Sequence, residues 1–118
     1  MEEIRVRVGL IKGRHNMPVN EYIFHEIEDV LDFNKMNETI YSFLERRVGI
    51  STVTSTGINQ IDYSDVTCLK GNKQLIVYCT GLTAAVAQLI KLCMLNGVSL
   101  SLMHYNRDND NYVEQIIL

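Results

Sequence analysis

Residues 74–104 hold the pattern that most narrows what this chain can fold into. "QLIVYC", residues 74–79, is apolar without alternation. Such a run reads as a strand buried on both faces, as in a parallel sheet. Thr80-Gly81-Leu82-Thr83 interrupts it, and the apolar spacing then changes. Val86, Leu89, Ile90, Cys93 and Met94 recur at helical intervals up to Gly97. "VSLSLMH", residues 98–104, returns to period two, with Val98, Leu100, Leu102 and His104 on one face. Strand, helix and strand within about 30 residues form a βαβ crossover. Its strands are predicted to be parallel and its connection right-handed.

The flanking segments fit around this unit. "IRVRVGLI", residues 4–11, alternates β-branched residues with Arg5 and Arg7 and reads as a strand. Gly9 within it suggests a bend or a close approach by other backbone. Residues 12–18 form a polar loop ending at Pro18. Residues 19–33 fit either a helix or a short Tyr-Ile-Phe strand. Residues 34–49 form a helix with Met36, Ile40, Phe43 and Leu44 on one stripe, Asn34 or Asn37 as its cap and Gly49 as its C′ residue. Residues 50–56 are β-prone, and 57–73 read as a surface excursion. "YNRDNDN" turns into a last strand, "YVEQIIL", giving a C-terminal hairpin. The expected product is one α/β domain over residues 1–118, Rossmann-like, in two or three layers.

Composition excludes several classes of function. The chain is 118 residues long, 47% hydrophobic and 21% charged, enough for a real core. Its net charge is −3, and the eleven Lys and Arg are scattered, so polymeric DNA is not the expected partner. A small anion needs only a few placed donors and remains open. Three cysteines, Cys68, Cys79 and Cys93, without C-x-x-C spacing, point to packed thiols rather than a disulfide framework or a zinc site. "MEEIRVRVGL" lacks the apolar core of a signal peptide. No apolar run approaches the roughly 20 residues that span a bilayer. A cytosolic location is expected, with no membrane partner.

In open α/β sheets, ligands bind outside the carboxyl ends of the strands. Lys12, Gly13, Arg14, His15 and Asn16 follow the first strand. Thr80, Gly81, Leu82 and Thr83 follow the central one. His104, Tyr105, Asn106 and Arg107 end the third. Parallel strands would bring all three groups to one edge. Thr80-Gly81-Leu82-Thr83 opens a helix, whose first turn leaves N–H groups unpaired and suits an anion. The competing reading is that Thr80 or Thr83 merely caps that helix. Arg14 and Arg107 can fork onto phosphate, and Tyr105 can stack on a base. His15 and His104 are the candidate acid and base near neutral pH. The competing readings there are a solvated loop and a strand-edge histidine. G-x-x-x-x-G-K-[ST], G-x-G-x-x-G and G-x-S-x-G are all absent. The histidines lack zinc spacing, and Asp108, Asp110 and Glu114 fit no EF-hand, so no metal or cofactor is expected.

A buried strand ending in Thr-Gly-Leu-Thr, then a helix and another strand, resembles the CARF domains, Rossmann-like domains of CRISPR-associated proteins that bind cyclic oligoadenylates. The resemblance covers about half the chain. It implies that Thr80, Gly81 and Thr83 hold the ligand, that Gly13, Arg14 and His15 complete the pocket, and that the chain serves antiviral defence. Lacking an effector nuclease domain, it would be a ligand sponge or a ring nuclease.

Three functions follow as expectations. The first is binding of a small phosphate-bearing nucleotide, cyclic forms included, across a homodimer whose two-fold interface deepens a shallow pocket. The second is metal-independent phosphodiester cleavage, with His15 or His104 as acid or base and Arg14 stabilising phosphorane charge. The third is a non-catalytic oligomerising or partner-binding module.

Overall fold

The computed structural model describes residues 3–13, 16–50 and 73–118. The β-prone 50–56 segment, apart from Ile50, and the 57–72 excursion lie outside the described residues, as do Arg14, His15 and Cys68. In chain order come β1 (Ile4–Ile11), β2 (Tyr22–Phe24), α1 (Phe33–Phe43) running into a π turn (Leu44–Val48), β3 (Lys73–Tyr78), α2 (Thr83–Leu95), β4 (Ser99–Asn106) and β5 (Asn111–Ile116). The result is an α/β fold.

The five strands form one mixed sheet in the order β2-β1-β3-β4-β5. The first four strands are mutually parallel, and β5 returns antiparallel against β4. Register is continuous across the middle of the sheet. Val8 lies level with Val77, and Val77 with Leu102. Central β3 has parallel neighbours on both sides and buries Leu75, Ile76, Val77 and Tyr78, which explains why its sequence does not alternate.

One face of the sheet carries the main core. Val6, Val8 and Leu10 from β1 align with Leu75 and Val77 from β3, and with Leu100 and Leu102 from β4. Met36, Ile40 and Phe43 of α1 pack there with Ala85, Leu89, Leu92 and Cys93 of α2. Both helices therefore serve the same layer. The π turn keeps Leu44 and Val48 in the core, and Gly49 closes it at φ 81° with its N–H donating to the Leu44 carbonyl at 2.9 Å. A left-handed residue is needed there, and glycine takes it without a Cβ penalty. The start of α1 differs from expectation. Asp32, not Asn34 or Asn37, is the cap, its carboxylate accepting from Lys35 N–H at 3.1 Å.

The ambiguous 19–33 stretch supplies a three-residue strand instead of a helix. Two register pairs place it: Gly9 with Tyr22, and Ile11 with Phe24. Arg47 Nε lies 2.7 Å from Glu21 Oε2 and ties the end of the π turn to the entry of β2. This strand explains Gly9. A Cβ there would sit 2.5 Å from Tyr22 Cδ1 and 2.8 Å from Met17 Sδ. Side chains, rather than another backbone, make the close approach. Gly9→Ala is accordingly expected to cost about 1–3 kcal/mol through overpacking. Urea denaturation would show this as a lower midpoint at unchanged slope.

Candidate functional site

The order of strands sets where a ligand would lie. From β1 the chain passes outward to β2, then back across to β3 on the other side of β1. The order reverses between β1 and β3, and the carboxyl ends at such a reversal form a crevice. Gly13 lies two residues beyond β1, and Gly81 three residues beyond β3. Both hold positive φ, 90° and 87°, and among the described residues, chain neighbours apart, neither has an atom within 4 Å of where a Cβ would stand. Positive φ demands glycine at both positions. The open space leaves room for something to approach the backbone.

The entry into α2 is not capped in the way its residue types suggest. Its N-cap is Leu82, in the left-handed region at φ 56° and ψ 62°, with no side-chain hydrogen bond to the first turn. Thr83 is the first helical residue rather than the cap. Thr80 Oγ1 is buried and has no hydrogen-bond partner among the described residues. Two unmet polar features therefore stand together: a 13-residue helix whose first-turn N–H groups lack a side-chain acceptor, and an orphaned hydroxyl three residues before it. A buried polar atom without a partner is disfavoured by about 1–3 kcal/mol. The same groups would stabilise an anion that filled both needs.

The third group meets the edge less directly. Cys79 N–H donates to the Met103 carbonyl at 3.0 Å, so β3 leaves the sheet level with the middle of β4. The hairpin runs on beyond that point. His104 and Tyr105 then point to opposite faces of β4, since successive strand residues alternate. His104 shares the helix-bearing face, and its Nε2 lies 2.8 Å from Gln115 Oε1 across the hairpin. Tyr105 is on the other face, 44% exposed, with its hydroxyl donating to Asp110 at 2.6 Å. That bond to a carboxylate raises the tyrosine pKa. Arg107 begins the hairpin turn past Asn106, at the tip. Thr80, Gly81, Leu82 and Thr83 are thus contiguous, Gly13 follows the neighbouring strand, and His104, Tyr105 and Arg107 diverge along the hairpin.

A tyrosine cluster joins the candidate residues. Tyr112 lies edge-on to Tyr78, with ring centroids 4.8 Å apart, and 5.5 Å from its cross-strand partner Tyr105. Its hydroxyl donates to the Asn16 carbonyl at 3.3 Å, joining the hairpin to the loop after β1. Burial, with Tyr78 and Tyr22 nearby, raises the Tyr112 pKa. The sequence signal for this cluster is the placing of Tyr105 and Tyr112 at equivalent positions on either side of the turn, where cross-strand pairs form.

Nucleophilic chemistry has no support from the described cysteines. Burial pushes Cys79 up to about 11 and Cys93 up to about 12. At pH 8 the Cys79 thiolate fraction is then about one in a thousand, against roughly a quarter for an unperturbed thiol. Mass mapping after treatment with a thiol reagent should find both residues unmodified in the native protein and modified in denaturant. Among the described residues no three His, Cys, Asp or Glu side chains group as a metal site, and no helix is long and apolar enough to cross a membrane. In comparisons with known proteins, no family model, no curated protein and no solved structure matches the chain.

Proposed function

We propose that this chain is a small Rossmann-like, CARF-type domain that binds a phosphate-bearing nucleotide, cyclic forms included, at the carboxyl ends of its parallel strands. The observation that carries the reading is the uncapped N-terminus of α2 beside the partnerless Thr80 hydroxyl. A phosphate oxygen would accept from the first-turn N–H groups, where the helix dipole is positive. A second oxygen would accept from Thr80. Gly81, open at its α-carbon, would let the phosphate reach the backbone. Gly13 and Arg14, following the adjacent strand, would close on the ligand, and Arg107 would add charge from the hairpin. Tyr105 would offer a stacking face. Binding is the primary reading: His104 is already hydrogen-bonded to Gln115, and His15 lies outside the described residues. Two copies of the chain, acting in the cytosol, would enclose a ligand too large for one edge.

Isothermal calorimetry of the folded protein against cyclic dinucleotides, cyclic oligonucleotides and linear mononucleotides tests the proposal. Saturable binding of at least one of them is expected. A folded protein that binds none of the panel would end the reading.

A further inference from the structure

The surface formed by the β2–α1 loop and the start of α2 is unlike the rest of the molecule. Of fourteen acidic and eleven basic residues in the chain, residues 21–32 hold five acids and no Lys or Arg. Glu26, Glu28, Asp29 and Asp32 line a groove of about 250 Å³ with Ile27 and Met36. Ile27 and Met36 also line a second groove of about 200 Å³, whose other walls include Val30, Leu31, Leu82 and Ala84. The two depressions are therefore one continuous surface, acidic at one end and apolar at the other. Three large apolar side chains stand out of it: Val30, 48% exposed, Leu31, 69%, and Phe33, 44%. A loop and helix start that present three such residues together mark an interaction site more often than a bare surface.

The chemistry selects the occupant. The carboxylates do not group as a metal site, so their charge is spread along the surface rather than focused on an ion. Among the described residues, Glu26 and Glu28 have no hydrogen-bond or ion-pair partner, and Lys35 is the one lysine or arginine lining the acidic end. Spread negative charge beside an apolar trough complements a segment with Lys or Arg on one side and bulky apolar residues on the other.

We propose that this surface docks a basic amphipathic helical segment of a partner protein. Its apolar side chains enter the Ile27–Leu31–Leu82 trough, and its cations lie over Glu26, Glu28, Asp29 and Asp32. The trough adjoins the proposed anion seat at Leu82 and Thr83, but the docking reading rests on its own residues and survives if nucleotide binding fails.

The probe is a synthetic Leu/Lys amphipathic peptide of about five helical turns, titrated into the isotope-labelled full chain and followed by amide chemical shifts. Shifts should concentrate in residues 26–36 and 82–85. Affinity should fall at least about tenfold in Leu31→Ser and in the double variant Glu26→Gln, Glu28→Gln, with folding checked by circular dichroism. Added salt should weaken the complex. Three results would each overturn the proposal. One is equal binding of a peptide of the same composition scrambled to lose its apolar face. Another is shifts spread away from the grooves. The last is a dimer in light scattering that Leu31→Ser dissociates, since a second copy would then fill the trough.

Discussion

Phe43→Ala is expected to remove about 3–5 kcal/mol of folding stability. Phe43 is among the largest fully buried side chains and sits where α1 passes into the π turn, with Ile40 and Leu44 beside it in the core. Truncation leaves a cavity next to a backbone that cannot close on it. The turn is held between the Gly49 N–H bond to Leu44 and the Arg47–Glu21 contact. A domain of this size has about 5–15 kcal/mol in total, so the variant should unfold at much lower urea. Phe43→Leu, closer in volume, should cost under about 1.5 kcal/mol. Arg46 lies 5.9 Å from the Phe43 ring centroid, an exposed contact worth about 0.5–1 kcal/mol, and Arg46→Gln measures that share. A loss below about 1 kcal/mol for Phe43→Ala would contradict the packing of this helix against the sheet.

Much of the scaffold was legible because burial leaves a direct trace in residue choice. The unbroken apolar run of 74–79 belongs to a strand with neighbours on both sides and buried side chains on both faces. The alternation of 4–11 survives because Arg5 and Arg7 remain exposed. Strand β2 carried no such trace. Three residues cannot show a period, and what holds them is pairing with Gly9 and Ile11, which are distant in sequence. Tertiary context decides such cases.

The site was legible in its residue types and not in its conformation. Thr80 and Thr83 are good capping residues, and Asn34 and Asn37 likewise at α1. Capping, however, needs an N-cap residue whose extended backbone turns its oxygen back onto the helix. At α2 the chain enters through Leu82 in the left-handed region, which leaves both hydroxyls out of that role. At α1 the carboxylate of Asp32 takes the role one residue before the helix begins. Backbone conformation at a single residue thus separates a structural cap from an open seat, and residue identity does not report it. The exposed apolar loop was equally hidden. Val30, Leu31 and Phe33 look like core in a sequence, and only the path from β2 to α1 turns them outward.

Thr80→Val should move stability and affinity in opposite directions. Valine keeps the shape of threonine and removes the hydroxyl. In the free protein that hydroxyl is buried without a partner among the described residues, so its loss should leave stability unchanged or raise it by about 1 kcal/mol. In the nucleotide complex the same hydroxyl would donate to a charged oxygen, a bond worth about 1.5–3 kcal/mol. Losing it should weaken binding of the best cyclic nucleotide by roughly 10- to 100-fold. A merely structural threonine would give the reverse: lower stability and unchanged affinity. Thermal unfolding and calorimetry on the same preparation separate the two. Thr83→Val serves as the companion variant. Thr83 is not the cap of α2, so its replacement should spare the fold, and a similar loss of affinity would place both hydroxyls on the phosphate. Unchanged affinity in both variants, with binding intact, would move the anion seat away from the start of α2.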